Sequence, residues 1–189
     1  MKLTMKNYFT LIFFVLATTI TFSQSFDKYD LKEIIRGRSE VFIGNQFDKY
    51  DVKEIIRVNP SLVNVIATKF DKYATKEFVR LGGKVVIGNQ FDKYDVIEII
   101  RTSPSLVTVV ATKFDKYVTK EFVRIGGKVV IGNKFDINAV KEIVRISPSQ
   151  VTVVATKIDK SDTREFVRLG GKVVICNTFD KYAVKQILD

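Results

Sequence analysis

A four-residue phrase, Phe-Asp-Lys-Tyr or a close variant of it, opens a unit at Phe26, Phe47, Phe70, Phe91, Phe114, Phe135, Ile158 and Phe179, at steps of 21 and 23 residues in alternation. A period in the twenties marks stacked supersecondary units, each too small to bury its own apolar face. A chain written this way forms a quasi-linear stack. Each unit touches its neighbours, and function lies on a long repetitive surface rather than in one deep pocket.

Each unit reads as a strand, a corner, a short helix and a return. Val63-Asn64-Val65-Ile66-Ala67-Thr68 is short and β-branched, as a strand requires. A helix follows over Lys72–Arg80, and Gly82-Gly83 stops it before the next strand near Val85. Asp is a strong N-cap because its carboxylate accepts from the free amides of the first turn. It stands at that corner in every unit, as Asp27, Asp48, Asp71, Asp92, Asp115, Asp136, Asp159 and Asp180. The preceding Phe is spaced to staple onto the residue five along, as with Phe47 and Val52. Returns alternate between proline (Pro60, Pro104, Pro148) and glycine (Gly82, Gly126, Gly170), two helix terminators of different length, which explains the alternating step. Val52, Ile55 and Ile56 share one helix face, so the helices pack on one side only. Helices this short do not persist alone in water. The sequence therefore predicts an α/β fold. It is an open solenoid of about eight strand–helix repeats over residues 24–189, with a parallel sheet on one face and short helices on the other.

Residues 1–23 differ from the rest. Lys2 and Lys6 precede an apolar run from Phe9 to Phe22, with small residues Thr21 and Ser23 near a cut site. This is the pattern of a secretory signal peptide, and it is short for a membrane span. The expected destination is outside the cytoplasm: periplasm, cell surface or medium. Without that leader, 29 basic residues face 21 acidic ones, a balance of +8. Both signs alternate within each unit, which argues against a gathered nucleic-acid face. Cys176 is the only cysteine and reads as a small core residue.

The segment Asn59-Pro60-Ser61-Leu62-Val63-Asn64-Val65-Ile66-Ala67, preceded by Val52-Lys53-Glu54-Ile55-Ile56-Arg57, resembles a leucine-rich repeat. Leu62, Val65 and Ala67 fill the first three apolar slots of that pattern, and Leu106, Val109 and Ala111 repeat them. Phe70, Phe91 and Phe114 stand where the family places Asn, and Gly83, Gly127 and Gly171 fill the first slot of the glycine-type units. The resemblance implies a concave, usually protein-binding sheet and no catalysis.

The helices cover one sheet face. With Val65 and Ala67 inward, alignment of the units on their phenylalanines turns Val86 and Gly88, Val109 and Ala111, Val130 and Gly132, Val153 and Ala155, and Val174 and Cys176 inward too. The expected partner-binding face then holds Asn64, Ile66, Thr68, Val85, Ile87, Asn89, Thr108, Val110, Thr112, Val129, Ile131, Asn133, Thr152, Val154 and Thr156, continued by Val41, Ile43, Asn45, Val173, Ile175 and Asn177. A contiguous apolar strip of this kind marks an interaction surface, although β-branched residues also simply make good strands.

Other recurring residues have structural readings. One Asp per unit at a helix start is a cap rather than a Ca²⁺ ligand. Glu54, Glu77, Glu98, Glu121, Glu142 and Glu165 precede Arg57, Arg80, Arg101, Arg124, Arg145 and Arg168 by three positions, the spacing of ion pairs within a helix. Tyr29, Tyr50, Tyr73, Tyr94 and Tyr117 are expected to pack along the helix seam. The chain has no His, no nucleophile–base pairing and no phosphate loop, so neither enzyme chemistry nor a cofactor is expected. The best-supported role is an exported, non-enzymatic scaffold that binds a protein through its sheet face. The alternatives are a self-assembling structural or surface protein joined through unpaired sheet edges, and a binder of a regular solid surface, ice or insoluble glycan, through its Thr and Asn rows.

Overall fold

The computed structural model describes residues 26–132, 135–155 and 159–175. Within them, seven parallel strands form one sheet and seven α-helices alternate with the strands. The order is α1 (Lys28–Arg36), β1 (Val41–Ile43), α2 (Lys49–Ile56), β2 (Val63–Ile66), α3 (Lys72–Arg80), β3 (Lys84–Ile87), α4 (Lys93–Thr102), β4 (Val107–Val110), α5 (Lys116–Arg124), β5 (Lys128–Ile131), α6 (Ile137–Val144), β6 (Val151–Ala155), α7 (Lys160–Arg168) and β7 (Lys172–Ile175). A 3-10 turn beginning at Pro60, Pro104 or Pro148 leads into β2, β4 and β6. Strands lie side by side in chain order, so every connection is a strand–helix–strand crossover. This is the open strand–helix solenoid that the repeat implies. The expected leader, together with Asn133, Thr156, Cys176, Asn177 and Asp180, lies outside the described residues. Among the described residues no helix is long and apolar enough to cross a membrane.

Every described helix starts on its Asp. Asp27 accepts from the amides of Tyr29 (2.7 Å) and Asp30 (3.0 Å), and Asp30 returns the bond to the Asp27 amide as a capping box. Asp115 accepts from the Val118 amide at 2.9 Å. The glycine returns close in the left-handed region that glycine tolerates. Gly126 sits at φ 92°, and its N–H donates to the Val123 carbonyl at 3.0 Å. Its neighbour Gly127 lies so close to Ile100 that an added Cβ would stand 2.9 Å from the Cδ1 atom.

One core runs the length of the stack, built from the inner face of the sheet and the apolar faces of the helices. Proline returns follow α2, α4 and α6, which bury aliphatic triplets such as Val52, Ile55 and Ile56. Glycine returns follow α3, α5 and α7, which bury Phe78, Phe122 and Phe166. Phe70 meets Phe78 edge to face at 5.0 Å, and Phe114 meets Phe122 in the same way at 5.0 Å. Thr75, Thr119 and Thr163 are buried with their hydroxyls satisfied, each donating to the carbonyl of its capping Asp at 2.7–2.8 Å.

The helix-surface charges pair differently from the expected spacing of three. Arg80 with Glu77 and Arg124 with Glu121 do approach, at 3.9 Å. Shorter contacts run between neighbouring helices: Lys28 to Asp51 (2.7 Å), Lys32 to Glu54 (2.8 Å), Lys72 to Asp95 (2.8 Å), Lys120 to Glu142 (3.1 Å) and Lys141 to Glu165 (2.7 Å). Stacking brings each helix beside the next, within reach of a lysine stem. Bonds from Lys32, Lys76 and Lys120 hold the carboxyls of Glu54, Glu98 and Glu142, in that order, below the ordinary glutamate range. A carboxyl depressed by folding adds stability that is complete above its unfolded value, about 4.3, and is lost as pH falls toward and below the native value. The urea midpoint is therefore expected to hold from pH 7 to about 5 and to fall as the pH drops below about 4. A midpoint unchanged at pH 3 would show that these pairs contribute nothing. Each exposed pair is worth little alone, so the effect belongs to the ladder.

Candidate functional site

The register alternates. Strand β1 pairs Val41 with Val63, an offset of 22, and β2 pairs Val65 with Val85, an offset of 20. The same alternation continues through β7. Units aligned on their phenylalanines give 23 and 21 instead, one residue more at each step. In a pleated strand one residue of slip turns every side chain to the other face.

The strand phase behind the expected face therefore holds in one type of strand and reverses in the other. In the proline-type strands Asn64, Ile66, Thr108, Val110, Thr152 and Val154 point away from the helices, as anticipated. In the glycine-type strands the phase is reversed. Val85 is 1 % exposed and Ile87 is 0 % exposed, both in the main core, with Val41, Ile43, Val129 and Ile131 beside them. Val173 packs against the same core. The residues expected inside, Val86, Val130 and Val174, lie on the outer face instead. The side chain of Ile175 is outside the described residues.

The physical cause is the corner. Two residues, Thr68 and Lys69, separate buried Ala67 from Phe70. Three residues, Gly88, Asn89 and Gln90, separate buried Ile87 from Phe91. The wider corner is stabilised by its glutamine, since Gln90 Oε1 accepts from the Gly88 amide at 3.1 Å and Gln46 does the same for Gly44. The signal was present in the letters: Gly-Asn-Gln before one Phe, Ala-Thr-Lys before the next. Thr68 and Asn45, and Thr112 and Asn89, meet at these corners. Each threonine hydroxyl donates to the asparagine of the preceding unit, at 2.7 and 2.8 Å.

The outer face reads in rows across the strands. Phe42 lies beside Asn64 and Asn64 beside Lys84. Ile66, Val86, Thr108 and Lys128 form the next row, then Val110, Val130, Thr152 and Lys172, then Val154 and Val174. Val110, Val130, Val154 and Val174 are buried and form a second apolar cluster, against which Val86 packs. No described helix residue belongs to it. Phe42, Ile66 and Val86 are half-buried, and Lys128 and Lys172 are exposed. At the β1 end Glu40 accepts from Lys84 Nζ (2.8 Å) and from Asn64 Nδ2 (2.9 Å). Burial pushes the Glu40 carboxyl up, but these two bonds and the Lys84 charge bring it below the ordinary value. Farther along, desolvation against the sheet, then the like charges of Lys172 and Lys84, pull the Lys128 ammonium below its ordinary value.

The tyrosines correct a second expectation. Tyr29, Tyr50, Tyr73, Tyr94 and Tyr117 are 65–76 % exposed, one on each of five consecutive helices, instead of packed in the seam. Each sits in the first helical turn, beyond the apolar face. Neighbouring lysines lie over the rings at 4.8–5.6 Å, as Lys93 does over Tyr94 and Lys28 and Lys32 over Tyr29. Between α2 and α3 a groove of about 420 Å³ carries Tyr50 and Tyr73 among Lys49, Lys53, Lys76 and Arg80. Among the described residues no three or more His, Cys, Asp or Glu side chains group as a metal centre. No protein-family model matches the chain, and no curated protein matches it.

Proposed function

We propose that this chain is an exported, non-enzymatic repeat scaffold that binds another protein through the outer face of its sheet. The observation that carries the reading is the outer face of the sheet around half-buried Phe42, Ile66 and Val86, which continues into a second apolar cluster whose described members are all strand residues. An apolar strip that the described helices do not cover, rimmed by Thr108, Thr152 and lysines, has the anatomy of a docking surface. The period and the slots at Leu62, Val65 and Ala67 support a divergent leucine-rich-repeat-like solenoid, and the apolar run after Lys2 and Lys6 supports export. The docking face on this reading is the accessible part of the outer face, Ile66, Val86, Thr108 and Thr152 with Phe42 at its β1 end, lying beside the buried Val110, Val130, Val154 and Val174.

Ile66→Gln combined with Val86→Gln tests it. Both residues are half-buried on the outer face, so the double variant is expected to keep the fold and to lose a partner that the wild-type protein retains in affinity capture. Undiminished retention by the double variant would overturn the reading.

A further inference from the structure

Units of one type repeat every 44 residues, so Glu40, Lys84, Lys128 and Lys172 occupy one recurring position. In the first of them the position is acidic, and Glu40 satisfies Lys84 and Asn64. In the next three it is lysine. A carboxylate at this position has a binding geometry already built in the molecule: one lysine from the next unit of the type and one amide from the strand between. Thr108 and Thr152 recur at the position of Asn64. Among the described residues no carboxylate forms an ion pair with Lys128 or Lys172. Lys84, Lys128 and Lys172 stand on every second strand and, by the register, two residues further along at each step, so neighbouring Cα atoms are roughly 12 Å apart, close enough for the charges of Lys84 and Lys172 to add to the lowering that burial imposes on the Lys128 pKa.

We propose that the row Lys84, Lys128 and Lys172 receives a polypeptide segment that carries carboxylates beside apolar side chains, an acidic amphipathic stretch of a partner protein. The inference deepens the docking reading and rests on it. Charge complementarity selects the acidic component, because three lysines rise from one face and, among the described residues, the one acid paired with them is Glu40 at the β1 end. Half-buried Ile66 and Val86 on the same face select the apolar component. They also favour a peptide over an acidic polysaccharide, since sugars stack on aromatic rings and, among the described residues, the exposed tyrosines lie on helices.

The test uses the full chain freed of its leader and three labelled probes: a peptide of repeating Glu-Leu-Glu-Val, its Lys-Leu-Lys-Val counterpart, and hyaluronan. The acidic peptide is expected to bind at least tenfold more tightly than the basic one, and to weaken as salt is raised. The pair Lys128→Glu and Lys172→Glu is expected to weaken it at least tenfold without changing the circular dichroism spectrum. Lys84→Glu is expected to cost less, because Lys84 is already partnered. Absence of acidic-peptide binding, equal binding of both peptides, or indifference to the Lys128 and Lys172 changes would overturn the inference. So would preferential binding of hyaluronan, or self-association of the chain that the same two changes abolish. The docking reading fails separately: it falls if Ile66→Gln with Val86→Gln leaves protein capture intact, and it stands if that variant loses capture while the lysine variants keep it.

Discussion

Phe122→Ala is expected to lower the stability of the solenoid by about 3–5 kcal/mol. Phe122 is 0 % exposed and meets Phe114 edge to face at 5.0 Å, so truncation removes the buried ring, its partner's contact and the packing around both. Neighbouring units cannot close the gap cheaply. At Gly127 strand and helix already leave no room for a Cβ, which would stand 2.9 Å from Ile100 Cδ1 and 3.1 Å from the Phe122 carbonyl oxygen. Each unit in such a stack is stabilised by its interfaces with the two beside it, so a defect at α5 also weakens the contacts of α4 and α6. Equilibrium urea unfolding measures the loss. Tyr117→Ala is the internal comparison. That ring, five residues earlier on the same helix, is 73 % exposed, and its removal is expected to change stability by less than about 1 kcal/mol. Equal losses for the two variants would contradict the assignment of their faces.

Ile87→Gln is expected to cost about 3–5 kcal/mol, and Val86→Gln about 1 kcal/mol or less. The two residues are adjacent in β3. Ile87 is 0 % exposed between the sheet and the helices, so a glutamine there surrenders aliphatic burial and carries an amide into the core. Val86 faces the other way and is half-buried, where a polar head reaches water. Chemical denaturation of the two variants side by side reads the strand phase directly. The phase obtained by aligning phenylalanines predicts the opposite order, so a larger loss at Val86 would restore it.

Much of the architecture was legible because it rests on local chemistry repeated many times. The capping Asp, the terminating Pro or Gly and the three-four spacing of Val52, Ile55 and Ile56 each act within a few residues. The described helices start where the capping residues predict. Less of the candidate site was legible. Alignment on the phenylalanines gives the sheet face of Ile66, Val110 and Val154, turns Val85, Ile87, Val129 and Ile131 to the wrong face and carries no signal for Lys84, Lys128 and Lys172. The cause is the single residue by which the Gly88-Asn89-Gln90 corner exceeds the Thr68-Lys69 corner. The interhelical pairs escaped for a related reason, since Lys32 and Glu54 are 22 residues apart and meet only because the units stack.

The amino-acid order alone thus determined the period, the class of unit and its parallel stacking, because each unit leaves an apolar face that only a neighbour can cover. Tertiary structure decided which side chains share that covered face. Register is settled between strands, by hydrogen bonding and burial against the next unit, and a pleat converts one residue of slip into a change from core to surface.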